Sequence, residues 1–206
     1  MKIIILAAGR GSRLGAYEVP KALTQLANKK SILEMQLEHI AAFTSLRQVV
    51  VVVGYKEEKI MNRFPDLEYV ENEDYETTNT AKSLLLALEH VTHEPVIWMN
   101  GDVVFHKNVF ESVYKSGKTG MIVNVGRVGE EEVKYRTDGK GRILEVSKQV
   151  LNPEGEALGL NIFHEQDVDM LRAELQKCAA NDYFEKAVEM CIEEGTKVYT
   201  IPINID

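Results

Sequence analysis

Three short runs along the chain carry no polar position: IIIL from Ile3, VVVVV from Val49 and VIWM from Val96. A strand with one solvated face alternates. A strand covered on both faces reads as an unbroken apolar run, as in a parallel sheet flanked by helices. Between these runs the apolar residues recur at helical spacing. Ser31 and Glu34 make a capping-box pair that opens a first helix, with Leu33, Leu37 and Ile40 on one face. A second helix is predicted from about Lys56 to Arg63. A third follows from the spacing of Ala81, Leu84, Leu85, Leu88 and Val91. Strand and helix in alternation predict an α/β sheet with right-handed crossovers.

The second half, residues 116–206, is patterned differently. MIVNVGRV and ALGLNIF read as strands. VKYRTDGKGRILEVSK reads as a hairpin turning at Asp138-Gly139. Two helices follow, one from about Asp167 and one from Asp182, where Asp182 and Glu185 repeat the capping spacing. KVYTIPINI closes the chain as a last strand. An α/β half over 1–115 is thus joined to a mixed, partly antiparallel half within one domain of 206 residues.

Composition narrows the function more than the fold. A net charge of −8 disfavours nucleic acid, whose binding rests on phosphate neutralisation by Lys and Arg. A small anion can still be received by a local basic cluster. The first apolar run, Ile3 to Ala8, is too short for a membrane span or a secretory signal, so no membrane partner is expected. Cys178 and Cys191 sit in helix-like stretches without CxxC spacing and read as buried thiols in a reducing cytoplasm. His90 and His93 lack a third ligand for zinc, and Trp98 reads as core.

Candidate chemistry begins where the first strand ends. Leu6, Ala7, Ala8, Gly9, Arg10, Gly11, Ser12 and Arg13 form a loop of small and basic residues. Small residues let backbone approach a ligand, turning N–H groups can cradle an anion, and arginine grips phosphate through paired hydrogen bonds. A P-loop is excluded, because the place its second glycine needs, five after Gly9, holds Leu14. A dinucleotide turn is disfavoured. Its third glycine, Gly15, comes one residue late, and the second strand ends in Gly54-Tyr55 rather than an acid. Ligands of open α/β sheets bind beyond the carboxyl ends of the strands. That predicts a site from the first loop, Gly54-Tyr55 and Asn100 to Asp102.

The string LAAGRGSRLG followed by PKAL resembles the L-A-A-G-x-G-x-R…P-K signature of small-molecule nucleotidyltransferases. These act on sugar phosphates, the molybdopterin cofactor and phosphocholine. The similarity runs on through TNTAKSLLLAL and WMNGDVVF, and the compact length is most like the phosphocholine cytidylyltransferase type. The resemblance implies a Rossmann-like (GT-A-type) fold, a mostly parallel mixed sheet flanked by helices. It also implies a reaction in which a small phosphorylated alcohol or amine attacks the α-phosphorus of a nucleoside triphosphate. CTP is favoured from overall resemblance alone.

By the same resemblance, the Gly9–Arg13 backbone and Arg13 hold the β and γ phosphates, and Lys21 sits at the α-phosphate as the principal catalytic residue with Arg13. Asn79, Ser83, Asn100 and Gly101 are further nucleotide-binding candidates, although Thr77 to Thr80 equally contain a helix N-cap. Asp102 is the candidate Mg2+ ligand at a strand end. The alternative is a turn residue, since Asn100-Gly101 between apolar runs is also a hairpin signal. The resemblance implies a second metal acid from a late strand, for which Asp206 is one candidate and a residue on a further strand past Asp206 the other. The phospho-substrate is expected in the second half, against Lys134, Lys148, Glu156 and Asn161, with a solvated charged face as the plainer reading. Tyr183 and Phe184, beside Asp182 and Glu185, combine rings and carboxylates suited to a quaternary ammonium, although core packing of the rings is the simpler reading. Transfer to a sugar 1-phosphate is the alternative within this chemistry. A non-catalytic nucleotide-binding regulatory module is the alternative outside it.

Overall fold

A computed structural model describes residues 1–11 and 18–203. The three apolar runs are neighbouring parallel strands: β1 (Lys2–Leu6) lies between β2 (Val49–Val53) and β4 (Val96–Asn100). A further parallel strand, β3 (Glu68–Glu71), edges the sheet on β2. Its EYVE sequence gives no apolar run because only one neighbour pairs with it and its outer flank is half-exposed. The second half adds β5 (Gly120–Val125), the hairpin β6 (Lys134–Thr137) and β7 (Ile143–Ser147), then β8 (Gly155–Phe163) and β9 (Tyr199–Pro202). The main path of the sheet runs β3-β2-β1-β4-β8-β5-β9, and the hairpin joins through β6 on β8. Pairing is parallel from β3 to β4 and again between β5 and β9. It is antiparallel wherever β8 or the hairpin takes part.

Alternate residues of β1 feed two cores. Ile3 and Ile5 face α1 (Ile32–Ala41) and α4 (Lys107–Tyr114), together with Leu33, Leu37, Ile40, Phe110 and Val113. Ile4 and Leu6 face the other layer, α3 (Thr80–Leu88), α5 (Glu165–Lys177) and α6 (Phe184–Glu193). There Trp98 packs on Phe163 and edge-on against Phe184. The short α2 (Glu57–Arg63) follows β2, as its spacing predicts, while α4 goes unannounced in the pattern.

The predicted capping box at Ser31 and Glu34 is present in both directions. The one expected at Asp182 is not. Tyr183 occupies the N-cap position without a side-chain bond, and Asp182 instead accepts from the Ala179 N–H at 2.7 Å. Thr80 Oγ1 takes over part of the role by accepting from the Phe184 N–H at 3.1 Å, which ties α6 to the start of α3. The hairpin turn is also longer than the two-residue form. Asp138 Oδ1 accepts from the N–H groups of Lys140 and Arg142.

Candidate functional site

Three strand ends are stitched together beneath the first loop. The Ala7 N–H donates to the Val52 carbonyl, the Gly101 N–H to the Leu6 carbonyl and the Tyr55 N–H to the Ala8 carbonyl. Gly101 has to be small here, since a Cβ would stand 3.0 Å from the Leu6 carbonyl oxygen. Gly101 and Asp102 do form a turn, with the Val103 N–H donating to the Asn100 carbonyl, but the chain runs on into α4 instead of returning as a hairpin strand, so Asp102 stands at the end of β4.

Beyond these ends lies an open cavity of about 540 Å³. Leu6, Ala7, Gly9, Arg10 and Gly11 line one side of it. Asn100, Gly101 and Asp102 line the floor, with Lys21 and Asn79 at the flanks. Pro20 starts the 3-10 turn Lys21–Leu23, and from it Lys21 reaches across to donate to Asp102 Oδ2 at 3.3 Å. Its aliphatic stem runs over Gly11, where φ is +70° and a Cβ would lie 2.5 Å from Lys21 Cε. The loop glycine therefore makes room for the lysine as well as for backbone curvature. Both members of the pair are partly exposed, so the contact itself adds little stability. Its consequence is chemical: an ammonium and a carboxylate are held side by side at the cavity floor. The guanidinium of Arg10 lies 5.7 Å over the Tyr55 ring and 3.7 Å from Glu76.

Other residues support this frame from below. Gln36, buried on α1, donates to the carbonyls of Asn100 and Val103 at 3.0 and 2.8 Å and so fixes the turn that carries Asp102. Nothing in the sequence pattern singles out a glutamine on an otherwise apolar helix face. Tyr75, Glu76, Thr78 and Asn181 also line the cavity, and no spacing rule marks them.

Several expected site residues fall elsewhere. Ala8 is buried and lies off the lining, its carbonyl engaged by Tyr55. Ser83 lies under the cavity, where its hydroxyl accepts from Asn72 Nδ2 at 3.0 Å, because the fourth position of α3 faces the sheet. Asn79 is the N-cap of α3, accepting from the Thr80 N–H, and lines the cavity as well. Ser12, Arg13 and Asp206 lie outside the described residues. Of the second-half residues, Asn161 is wholly buried opposite Trp98 in the β4–β8 register, on a strand whose alternation turns it toward the core. Lys134 donates to the carbonyls of Lys148 and Glu130, and Glu156 accepts from Asn124; neither lines this cavity.

Of that group, Lys148 does reach a hollow. It lines a smaller one of about 260 Å³ with Glu131, Gly159, Tyr183 and Glu185. Asn100 and Tyr183 belong to both walls, so the two hollows adjoin. The ring pair flagged in the sequence is divided: Phe184 packs in the core, while Tyr183 faces the boundary between the hollows. Glu185 is buried, Oε2 has no hydrogen-bond partner among the described residues, and burial pushes its carboxyl up to about 7.

Whether an Mg2+ ion suits the site can be judged from the donor set. Among the described residues no three acidic, histidine or cysteine side chains converge, so no all-protein metal cage exists there. Mg2+ seldom asks for one, since it commonly takes one or two carboxylates and completes its shell with phosphate and water. Asp102, partly exposed at the cavity floor, fits that mode.

The profile of the MobA-like NTP transferase domain matches residues 3–174. CMP-5'-(3-aminopropyl)phosphonate synthase of Streptomyces rubellomurinus is 37% identical over 119 residues, which cover 54% of this chain and 18% of that protein. Choline-phosphate cytidylyltransferase of Streptococcus pneumoniae is 34% identical over 116 residues, 54% of this chain and 49% of that protein. The matches thus span half or less of these relatives' lengths. In fold, the chain is similar over 98% of its length to the inositol-1-phosphate CTP transferase of T. maritima (TM-score 0.78, 18% identity, 84% of that chain). It is similar over the same share to the CTP:phosphocholine cytidylyltransferase of S. pneumoniae (TM-score 0.75, 19% identity, 90% of that chain). The loop-and-lysine cavity at the ends of β1 and β4 and the profile match over most of the chain agree: this protein belongs to the MobA-like NTP transferase domain family, a family of nucleotidyltransferases.

Proposed function

We propose that the protein is an Mg2+-dependent cytidylyltransferase that transfers CMP from CTP to a small phosphorylated amine or amino alcohol and releases pyrophosphate. The observation that carries this reading is the pair of adjoining hollows sharing Asn100 and Tyr183. The larger is open to a triphosphate beside Gly9–Gly11 and Lys21. The smaller carries carboxylates, an ammonium and an aromatic ring suited to an acceptor's head. A shared wall is where the acceptor phosphate and the α-phosphate would meet. CTP is favoured because two of the sequence relatives are named for CMP or cytidylyl transfer, and an amine-bearing acceptor because the names of those two carry an aminopropyl group and choline.

In this reading an oxygen of the acceptor phosphate attacks the α-phosphorus. The bond from that phosphorus to the bridging oxygen of the β-phosphate breaks, and pyrophosphate leaves with the electron pair. Positioning and charge neutralisation do most of the work in such transfers. The Lys21 ammonium offsets negative charge gathering on the α-phosphate, and loop backbone at Gly9–Gly11 receives the departing phosphates. Asp102 holds the Mg2+, which supplies further neutralisation of the triphosphate.

The test is pyrophosphate release from a panel of four nucleoside triphosphates, each with phosphocholine, an aminoalkylphosphonate, inositol 1-phosphate or a sugar 1-phosphate, with and without Mg2+. Release that requires CTP, Mg2+ and an amine-bearing acceptor is expected. Release with sugar 1-phosphate alone would assign the protein to sugar activation. Tight triphosphate binding without release from any pair would make it a regulatory module.

A further inference from the structure

The smaller hollow already contains a cation. Lys148 Nζ lies 5.6 Å from the centre of the Tyr183 ring and donates to Glu131 Oε2 at 3.2 Å. Its charge also acts on Glu185, whose buried Oε2 has no partner among the described residues. An aromatic face with carboxylates around it is an environment that recognises ammonium groups. A buried oxygen left unpaired is costly until a donor or cation reaches it.

The contact holding Lys148 there is weak. Its partner Glu131 is largely exposed, and an ion pair with one solvated member contributes little. Lysine is a compact charge on a flexible four-carbon stem, so its head can leave without its backbone moving. The backbone is itself pinned, since the Lys148 carbonyl accepts from Lys134 Nζ at 2.8 Å.

We propose that Lys148 is a resident stand-in for the acceptor's ammonium group. In the empty enzyme it fills the head subsite formed by Tyr183, Glu131 and Glu185. When the acceptor binds, its ammonium displaces Lys148, and the freed Lys148 ammonium pairs with the acceptor's phosphate at the boundary with the larger cavity. One charge is exchanged for another, so the subsite holds a cation throughout. An uncharged acceptor has nothing to exchange and leaves Lys148 where it is, which selects for amines. This inference rests on the amine-acceptor reading of the preceding subsection.

Two arms test it. In the first, tetramethylammonium chloride, a cation without a phosphate, is titrated into wild type and Lys148→Met, with sodium chloride as the ionic-strength control. Binding is expected to tighten roughly tenfold in the variant, because the resident competitor is gone. In the second, kcat/KM for phosphocholine is expected to fall at least roughly tenfold in the same variant, through a higher KM for phosphocholine at an unchanged KM for CTP. Lys148→Gln repeats both arms should the methionine variant misfold, and Lys148→Arg, which keeps a cation in place, is expected to show no gain in the first arm. Equal or weaker tetramethylammonium binding in Lys148→Met and Lys148→Gln overturns the stand-in role. An unchanged kcat/KM overturns the hand-over to phosphate. A wild-type enzyme that turns over only uncharged acceptors overturns the amine reading, and this inference with it, before any variant is made. The binding arm needs no turnover at all.

Discussion

Lys21 shows how much one side chain depends on its neighbours. Pro20 starts its turn, Gly11 clears its path, and Asp102 holds its head 3.3 Å away. Lys21→Ala is expected to lower kcat by about a hundredfold or more, the usual loss when one preorganised charge is removed from a transition state. Because the lysine is partly exposed, the thermal melt should stay within a few degrees of wild type. Unchanged pyrophosphate release would remove Lys21 from the chemistry. Glu185 gives a prediction of a different kind. Its carboxyl moves from 4.5 to about 7, first through burial, against which the Lys148 charge works only in part. An acid with a raised folded-state pKa stabilises the fold while protonated. That contribution is complete below about pH 4.5 and lost as pH rises through about 7. Glu185→Gln should therefore be more stable than wild type at pH 8, by something on the order of 2 kcal/mol, with the difference nearly gone at pH 4.5. Urea unfolding at the two pH values decides it, and a pH-independent difference would mean that the carboxyl titrates normally.

At the level of elements, α1 links stability to the site. Its N-terminus is closed by the Ser31–Glu34 capping box, and one turn later Gln36 leaves the helix face to hold the carbonyls of Asn100 and Val103. Ser31→Ala removes the acceptor for the Glu34 N–H and is expected to cost about 1 kcal/mol in a denaturant titration. A loss near zero would show that the tertiary packing of Leu33 and Leu37 sets this helix start without help from the cap. The start of α6 works in the opposite way. No local side chain caps it, and the bond comes from Thr80 on another helix. That arrangement places Tyr183, the residue just before α6, on the wall common to both hollows.

For the molecule as a whole, the sheet has two covered faces, and what a strand residue does depends on which face its alternation assigns. Asn161 illustrates this. Its polarity suggests a ligand contact, yet β8 turns it into the core opposite Trp98, where neither amide atom has a hydrogen-bond partner among the described residues. Asn161→Leu, close in size and apolar, is expected to raise stability by about 1 to 2 kcal/mol, since an unpaired buried amide is removed. Activity should be retained, and a loss of turnover with a stable fold would return Asn161 to the substrate site. Much of the nucleotide half was legible from letters alone. Runs without polar positions meant strands covered on both sides, and the glycines, Pro20 and Lys21 followed a strand at the spacing of a known signature. These signals are local, and local chemistry is what a sequence displays directly: backbone freedom, capping and one-face periodicity. The edge strand β3, the support from Gln36, and the meeting of Lys148, Glu131, Tyr183 and Glu185 were not legible. Each depends on residues distant along the chain: β3 beside β2, α1 against the end of β4, and the four side chains around the smaller hollow. The sequence by itself determined that a loop of small and basic residues would follow the first strand. Which charged residues of the second half would line the hollow beside that site was settled by strand order and alternation, because a one-residue change of face turns an exposed side chain into a core one.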